Sequence, residues 1–233
     1  LLLSDVVTIN PFVFKKVPYD ADRDLVPVAA VADAGAAVIV PAALPTRNLG
    51  ECTALARSQP GKLNWGSFGV GTSSHLLLAQ INKTFNVEVQ HIPYQSAPQI
   101  MTALLTKEAD VSLVTTGLFA QYVDQGKIRP IAVLGSKRLP QIPDVPTLKE
   151  AGVDGVDVQQ WYGLFAPAKT PQPIVEKLNK ALNQVLADKE IEKRIEDHGA
   201  DVESSTPEQL GALVKSELAK WKTVVQRAKL TAD

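Results

Sequence analysis

Short apolar runs alternate with stretches of helical spacing along most of this chain, which predicts an α/β fold. Leu1 to Ser4 reads as a buried strand that begins without a cap or turn. Beyond Ile9-Asn10-Pro11 and a short aromatic stretch, Val17 to Asp24 reads as a connecting loop, because its Pro and Asp residues favour turns. Val26 to Val31 and Ala36 to Val40 predict two successive strands. Thr46 is expected to cap a helix through Ser58 that turns Leu49, Cys52, Leu55 and Ala56 inward and stops at Pro60-Gly61. Leu63 to Ser67 predicts a strand, Phe68 to Ser74 a Gly-rich loop, and His75 to Ile81 a helix. Val87 to Ile92 alternates as a strand, and Ala97 to Thr106 is helical with Ile100, Met101, Leu104 and Leu105 inward. Asp110 to Thr116 and Ile128 to Leu134 add two strands around a helix from Leu118 to Gln125.

The pattern then changes. Lys137 to Pro146 reads as a crossing segment, and Trp161 to Ala166 as a strand. Thr170-Pro171 starts a helix whose inward stripe runs Ile174, Val175, Leu178, Ala181, Leu182, Val185 and Leu186. Asp188 caps a helix ending near His198-Gly199, and Thr206 caps a long final helix with Leu210, Leu213, Val214, Leu218, Trp221, Val224 and Val225 inward. Asp144, Asp154 and Asp157 read as turn residues.

Composition removes several function classes. Lys plus Arg number 24 against 25 Asp plus Glu, so no basic field exists for nucleic acid or an anionic membrane. One cysteine and three histidines offer no disulfide, metal cluster or His-rich metal site, and no cofactor is expected. Cys52 reads as a core thiol. No apolar run approaches the roughly 20 residues of a membrane helix.

The chemistry-bearing segment is Gly66-Ser67-Phe68-Gly69-Val70-Gly71-Thr72-Ser73-Ser74-His75. A strand that ends in glycines and opens onto a helix presents backbone N–H groups to an anion, and the hydroxyls of Ser67, Thr72 and Ser73 add donors without charge. The bland alternative is an ordinary capped loop. A Rossmann fingerprint would need glycine at Ser74, and no P-loop or Gly-x-Ser-x-Gly elbow occurs. His75, at the helix start, is a ligand-orienting or capping candidate; His91 and His198 default to structural roles. Tyr94-Gln95-Ser96-Ala97 and Thr115-Thr116-Gly117 form further strand-to-helix junctions, which gather on one edge of a parallel sheet. No carboxylate pair stands out as an acid–base couple.

At these residues the chain resembles the substrate-binding receptors of tripartite tricarboxylate transporters, the Bug-type proteins. The resemblance spans essentially the whole chain. It rests on Asn10-Pro11, Tyr19-Asp20, Arg23-Asp24, Pro60 to Ser67, Gly69-x-Gly71-Thr72-Ser73-x-His75, His91-x-Pro93-Tyr94 and Gly126-Lys127-x-Arg129. Downstream it continues through Ser136-Lys137-Arg138, Pro143 to Thr147, Glu150-Ala151-Gly152, Trp161-Tyr162-Gly163, Ala166-Pro167-Ala168 and Thr170-Pro171.

The resemblance implies a two-lobed, type II-like periplasmic binding protein fold with a hinge cleft that closes on a small organic carboxylate, without catalysis. The expected lobes are 1–36 with 133–233, and 37–132. One carboxylate end would be held by the loop containing Ser67, Gly69, Gly71, Thr72 and Ser73, beside His75. Tyr94, Ser96, Ala97, Thr115, Thr116 and Trp161 would meet the remainder. The implied partners are the membrane components of a tripartite transporter, or a sensor protein; the implied state is an exported periplasmic monomer that binds no nucleic acid.

Two departures qualify this picture. The family's N-terminal strand–helix segment, with its Gly-Gly-x-x-Asp-like pincer, is not in the sequence, so the first lobe is expected to be N-terminally incomplete. Gln95-Ser96-Ala97-Pro98 and Val114-Thr115 replace a Lys-Gly-Ser-Gly-like turn and an Asp-Asn, which is expected to disfavour amino-acid ligands because no carboxylate is left there for an ammonium. The rival reading is an α/β hydrolase or transferase using Ser73 and His75. A ligand-sensing regulatory domain is a third, without a basic recognition helix to support it.

Overall fold

The computed structural model describes residues 1–153, 160–197 and 200–228. Its elements begin with β1 (Leu2–Ser4), α1 (Val6–Val13), β2 (Leu25–Ala34), β3 (Ala36–Pro41), α2 (Leu49–Ser58) and β4 (Asn64–Ser67). They continue with α3 (Ser73–Phe85), β5 (Gln90–Pro93), α4 (Ala97–Thr106), β6 (Val111–Thr115), α5 (Thr116–Asp124) and β7 (Ile128–Val133). The last are β8 (Gln160–Pro167), α6 (Gln172–Leu186), α7 (Lys189–Asp197), β9 (Ala200–Val202) and α8 (Pro207–Ala228).

Two compact units result: a terminal unit, Leu1–Ala34 with Gln159–Asp233, and a central unit, Gly35–Val158. The division differs from the expected one at 132/133. Residues 134–153 pack on the central unit because the chain returns beside Val133 on either side of Thr147: the Val133 amide donates to the Pro146 carbonyl and the Leu148 amide donates to the Val133 carbonyl. Leu139, Ile142 and Val145 cover the same core. The run of prolines read as a crossing segment is thus a folded appendage of that core.

In the terminal unit the strands are ordered β1-β8-β2-β9, all antiparallel. Leu1 and Leu2 are 64% and 60% exposed, so the expected buried strand is an edge strand. Asn10 and Pro11 lie inside α1, an element the sequence reading left unassigned. On α6 only Val175 and Leu186 of the expected stripe are buried, whereas Ile174 and Val185 stay half exposed. The stripe reflects helical spacing, not burial. Thr206 and Gln209 form a reciprocal capping box at the start of α8, whose Leu210, Val214, Trp221 and Val225 enter the core as expected. His198 and Gly199, like Asp154 and Asp157, lie outside the described residues.

The central sheet runs β5-β4-β6-β3-β7. β5, β4 and β6 are parallel, and β3 runs against β6 and β7. The carboxyl ends of β4, β5 and β6 and the start of β3 therefore share one edge. Ile39, Ile100, Met101, Leu104, Val114 and Phe119 fill the core beneath it, with Leu105 turned outward against expectation. Asn48 rather than Thr46 caps α2, accepting from the Glu51 amide; Thr46 is buried, and among the described residues its hydroxyl has no partner.

Candidate functional site

Ser67 ends β4 with its side chain fully buried, and the chain then turns through Gly69 (φ 112°) and Gly71 (φ 81°) before α3 begins. Those angles favour glycine, which is why this loop carries two. Its hydrogen bonds are local. The Gly69 amide donates to Ser67 Oγ at 3.0 Å, and the Thr72 hydroxyl donates to the Gly69 carbonyl at 2.8 Å. Thr72 caps α3 by accepting from the His75 amide at 3.4 Å, and the Gly71 amide donates to His75 Nδ1 at 3.3 Å. The amides of Phe68, Val70 and Thr72 have no protein partner among the described residues. Ser73 and Ser74 are buried in the first turn, where Ser74 Oγ accepts from the Trp65 indole at 2.9 Å.

The histidines carry a feature that sequence reasoning missed. Register pairs Trp65 with His91 and Ser67 with Pro93, so His91 sits beside the end of β4. There its Nε2 lies 2.5 Å from Ser67 Oγ, and its ring stacks on His75 with centroids 4.2 Å apart and planes inclined by 21°. Burial pushes the His75 imidazole below its usual range. His91 is lowered to about 4, chiefly by burial and then by the neighbouring His75 charge. Both rings are neutral at pH 7. The available sign was His91-x-Pro93-Tyr94 leading off the adjacent parallel strand, a position assigned to structure by default.

The expected site residues fall into two groups. Ser67, Gly69, Gly71, Thr72, Ser73 and His75 share the loop and first turn of α3. Tyr94, Ser96 and Ala97 open α4 next to it: the Tyr94 amide donates to the Ser67 carbonyl at 2.8 Å, and its ring packs against Gly66. Ser96 occupies the cap position of α4 without a side-chain cap bond. Thr115 and Thr116 open α5 on the other side, with the Thr116 amide and hydroxyl both donating to the Gly35 carbonyl, at 2.9 and 3.2 Å. All of these belong to one edge of the central sheet. Trp161 belongs to the terminal unit, where it is buried against Phe165 and its indole N–H has no partner among the described residues.

Catalytic use of these groups is poorly served. His75 Nδ1 is engaged by Gly71 and not aimed at Ser73 as a base. Ser67 and His91 do touch, but Ser67 is fully buried and also accepts from Gly69. Among the described residues no group of three metal ligands occurs. No helix among them is long and apolar enough to cross a membrane.

Known proteins resemble the chain along almost its whole length. The model of the tripartite tricarboxylate transporter family receptor matches residues 1–230. A UPF0065 protein from the tcbD-tcbE intergenic region of Pseudomonas sp. strain P51 is 33% identical over 234 residues, covering all of this chain and 70% of its own length. The periplasmic binding protein BugD superposes with a TM-score of 0.90 at 31% identity, over 99% of this chain and 78% of that one. MatC from Rhodopseudomonas palustris, solved with bound malate, is 29% identical with a TM-score of 0.86, over 96% of this chain and 78% of that one. Rpa4515, from R. palustris and solved with adipate, is 25% identical with a TM-score of 0.90, covering 99% and 78%. The chain belongs to the tripartite tricarboxylate transporter receptor family; it has the mixed α/β periplasmic binding protein fold and is a solute-binding receptor, not an enzyme.

Proposed function

We propose that this receptor works in the periplasm, where it captures a small organic carboxylate at the Gly-rich edge of the central sheet and delivers it to the membrane components of a tripartite transporter. The observation that carries the reading is the placement of three helix starts, those of α4, α3 and α5, along that edge with the glycine loop between strand and helix. Unpartnered amides at a helix N-terminus, backed by the helix dipole, are suited to an anion. Bound malate in MatC and adipate in Rpa4515 support the ligand class.

In this reading the amides of Val70 and Thr72, held in place by the bonds that Gly69 and Gly71 make within the loop, take one carboxylate end. Tyr94, Ser96, Ala97 and Thr115 contact the rest of the ligand, and Thr116 holds the edge together. The test is thermal stabilisation of the chain across mono-, di- and tricarboxylates, aromatic acids and acidic amino acids. A ligand at 100 times its Kd, bound only to the folded state, adds about 2.7 kcal/mol. A selective shift is expected, with aspartate and glutamate among the weaker ligands. No shift with any acid would overturn the reading. Recovery of the protein in a periplasmic fraction checks the location.

A further inference from the structure

Charge is distributed unevenly between the two ends of the parallel strands β4, β5 and β6. The segments that leave β4, β5 and β6 at the candidate edge, 67–75, 93–99 and 115–118, contain no Asp or Glu. Accordingly α3, α4 and α5 have no acid in their first turns. The acids on the connections between these strands, Glu88, Glu108 and Asp110, all precede β5 or β6 at the opposite edge, where Asp110 accepts from the Asn64 amide. The 42–46 loop lies at that opposite edge too, its carbonyls held by Arg129; just after it α2 starts, with Glu51 in its first turn.

Three helices of this unit share one capping device but differ in the acceptor. In α2, Glu51 Oε2 accepts from the Arg47 amide at 2.7 Å; in α4, Gln99 Oε1 accepts from the Gln95 amide at 3.0 Å. In α3, His75 Nδ1 does the same for Gly71. Each acceptor is the third residue of its helix and lies four residues beyond its donor. A carboxylate there would strengthen the helix start through the dipole. It would also neutralise the positive end that an anion needs. We infer that His75 and Gln99 are uncharged caps that hold loop amides in place while leaving these helix ends open to an anionic ligand, and that His91 braces His75 in this role.

The brace is geometric. Stacked on His75, His91 also bonds Ser67 Oγ, which receives the Gly69 amide, so the two rings together fix both glycines of the loop. Accepting from Gly71 requires an unprotonated Nδ1, hence a neutral His75 carrying its proton on Nε2. Burial favours that form, and a proton on either stacked ring opposes one on the other. The inference rests on the receptor reading and makes His75, Gln99 and His91 positioning residues.

Paired substitutions of equal shape test it on the whole chain, with malate and adipate as probes in titration calorimetry. His75→Gln and His75→Glu both offer an acceptor and differ in charge alone. The Gln variant is expected to bind within about threefold of the unaltered chain, whereas His75→Glu and Gln99→Glu weaken binding by about a hundredfold with melting temperatures kept or raised. Glu51→Gln, at the opposite edge, leaves affinity unchanged. Equal affinities in the two His75 variants would overturn the inference. Imidazole nitrogen spectra supply a readout that needs no ligand: His75 is expected protonated on Nε2 and bare on Nδ1. The reverse tautomer in a chain that binds an acid overturns the cap alone. A chain that binds neither of these, nor any other acid of the stabilisation panel, overturns the anion half together with the carboxylate reading.

Discussion

The two units bury polar groups by opposite means. In the terminal unit α8 carries a buried carboxylate, Glu217, that meets Lys220 and accepts from the Trp221 indole at 2.8 Å. In the central unit the polar groups buried beside the candidate site are hydroxyls, amides and neutral imidazoles. A paired charge suits a unit that needs only to hold itself together. Where an anion must be received, a fixed carboxylate would compete with it, so the neutral network is the one compatible with the task.

The sharpest way to break this contrast is Glu217→Ala. It leaves a fully buried indole N–H without its acceptor and removes the ion pair with Lys220, and is expected to cost about 3 kcal/mol in urea unfolding. An unchanged midpoint would mean that the charged network does not stabilise the terminal unit. The neutral counterpart, Ser74→Ala, strands the Trp65 indole and is expected to cost about 1.5 kcal/mol by the same measurement, since no net charge is uncovered.

Acidification acts on the central unit next. The folded His91 titrates at about 4 and His75 below its ordinary value, whereas both rings titrate near 6.5 when unfolded. Between those values the unfolded chain holds more protons, so the contribution of the neutral rings is complete above about pH 6.5 and is lost as pH falls toward 4. Urea midpoints taken from pH 7 down to 4.5 should fall, and His91→Gln should flatten the fall. The smallest effect belongs to exposed ion pairs. Hydrogen bonds from Arg23 and Arg138 hold Asp24 and Glu150 at about 2, yet Arg23→Ala should leave the unfolding midpoint unchanged within error because that pair lies at the surface, where solvent screens it.

Strand and helix order was legible from apolar spacing wherever an element was both regular and half buried: Ala97–Thr106 was read to the residue. The exceptions have physical causes. Asn10 and Pro11 are poor helix formers inside α1, which went unassigned, and there packing outweighs weak local preference. The exposed stripe of α6 shows that spacing names a face without saying what covers it. The Ser67-to-His75 loop was readable because glycines, hydroxyls and a helix start are contiguous in sequence. The His75–His91 stack was not, since it arises from the parallel register of β4 and β5 across 16 residues of separation. The absence of acids from three junctions was equally present in the sequence, but it acquires meaning only once those junctions lie on one edge.

The pairing of β2 with β8 sets the order in which the protein can be completed. Leu25 sits opposite Pro167 and Ala34 opposite Gln160, so the first unit to begin is the last to close. On a chain made from its N-terminus, Gly35–Val158 is contiguous and can assemble while the early strands of the terminal unit still lack their central neighbour. β2 is apolar and ten residues long, and for that interval it is a sticky ribbon without its partner. Closure over so long a separation is slow, and the terminal sheet is complete only once β8 has joined β2.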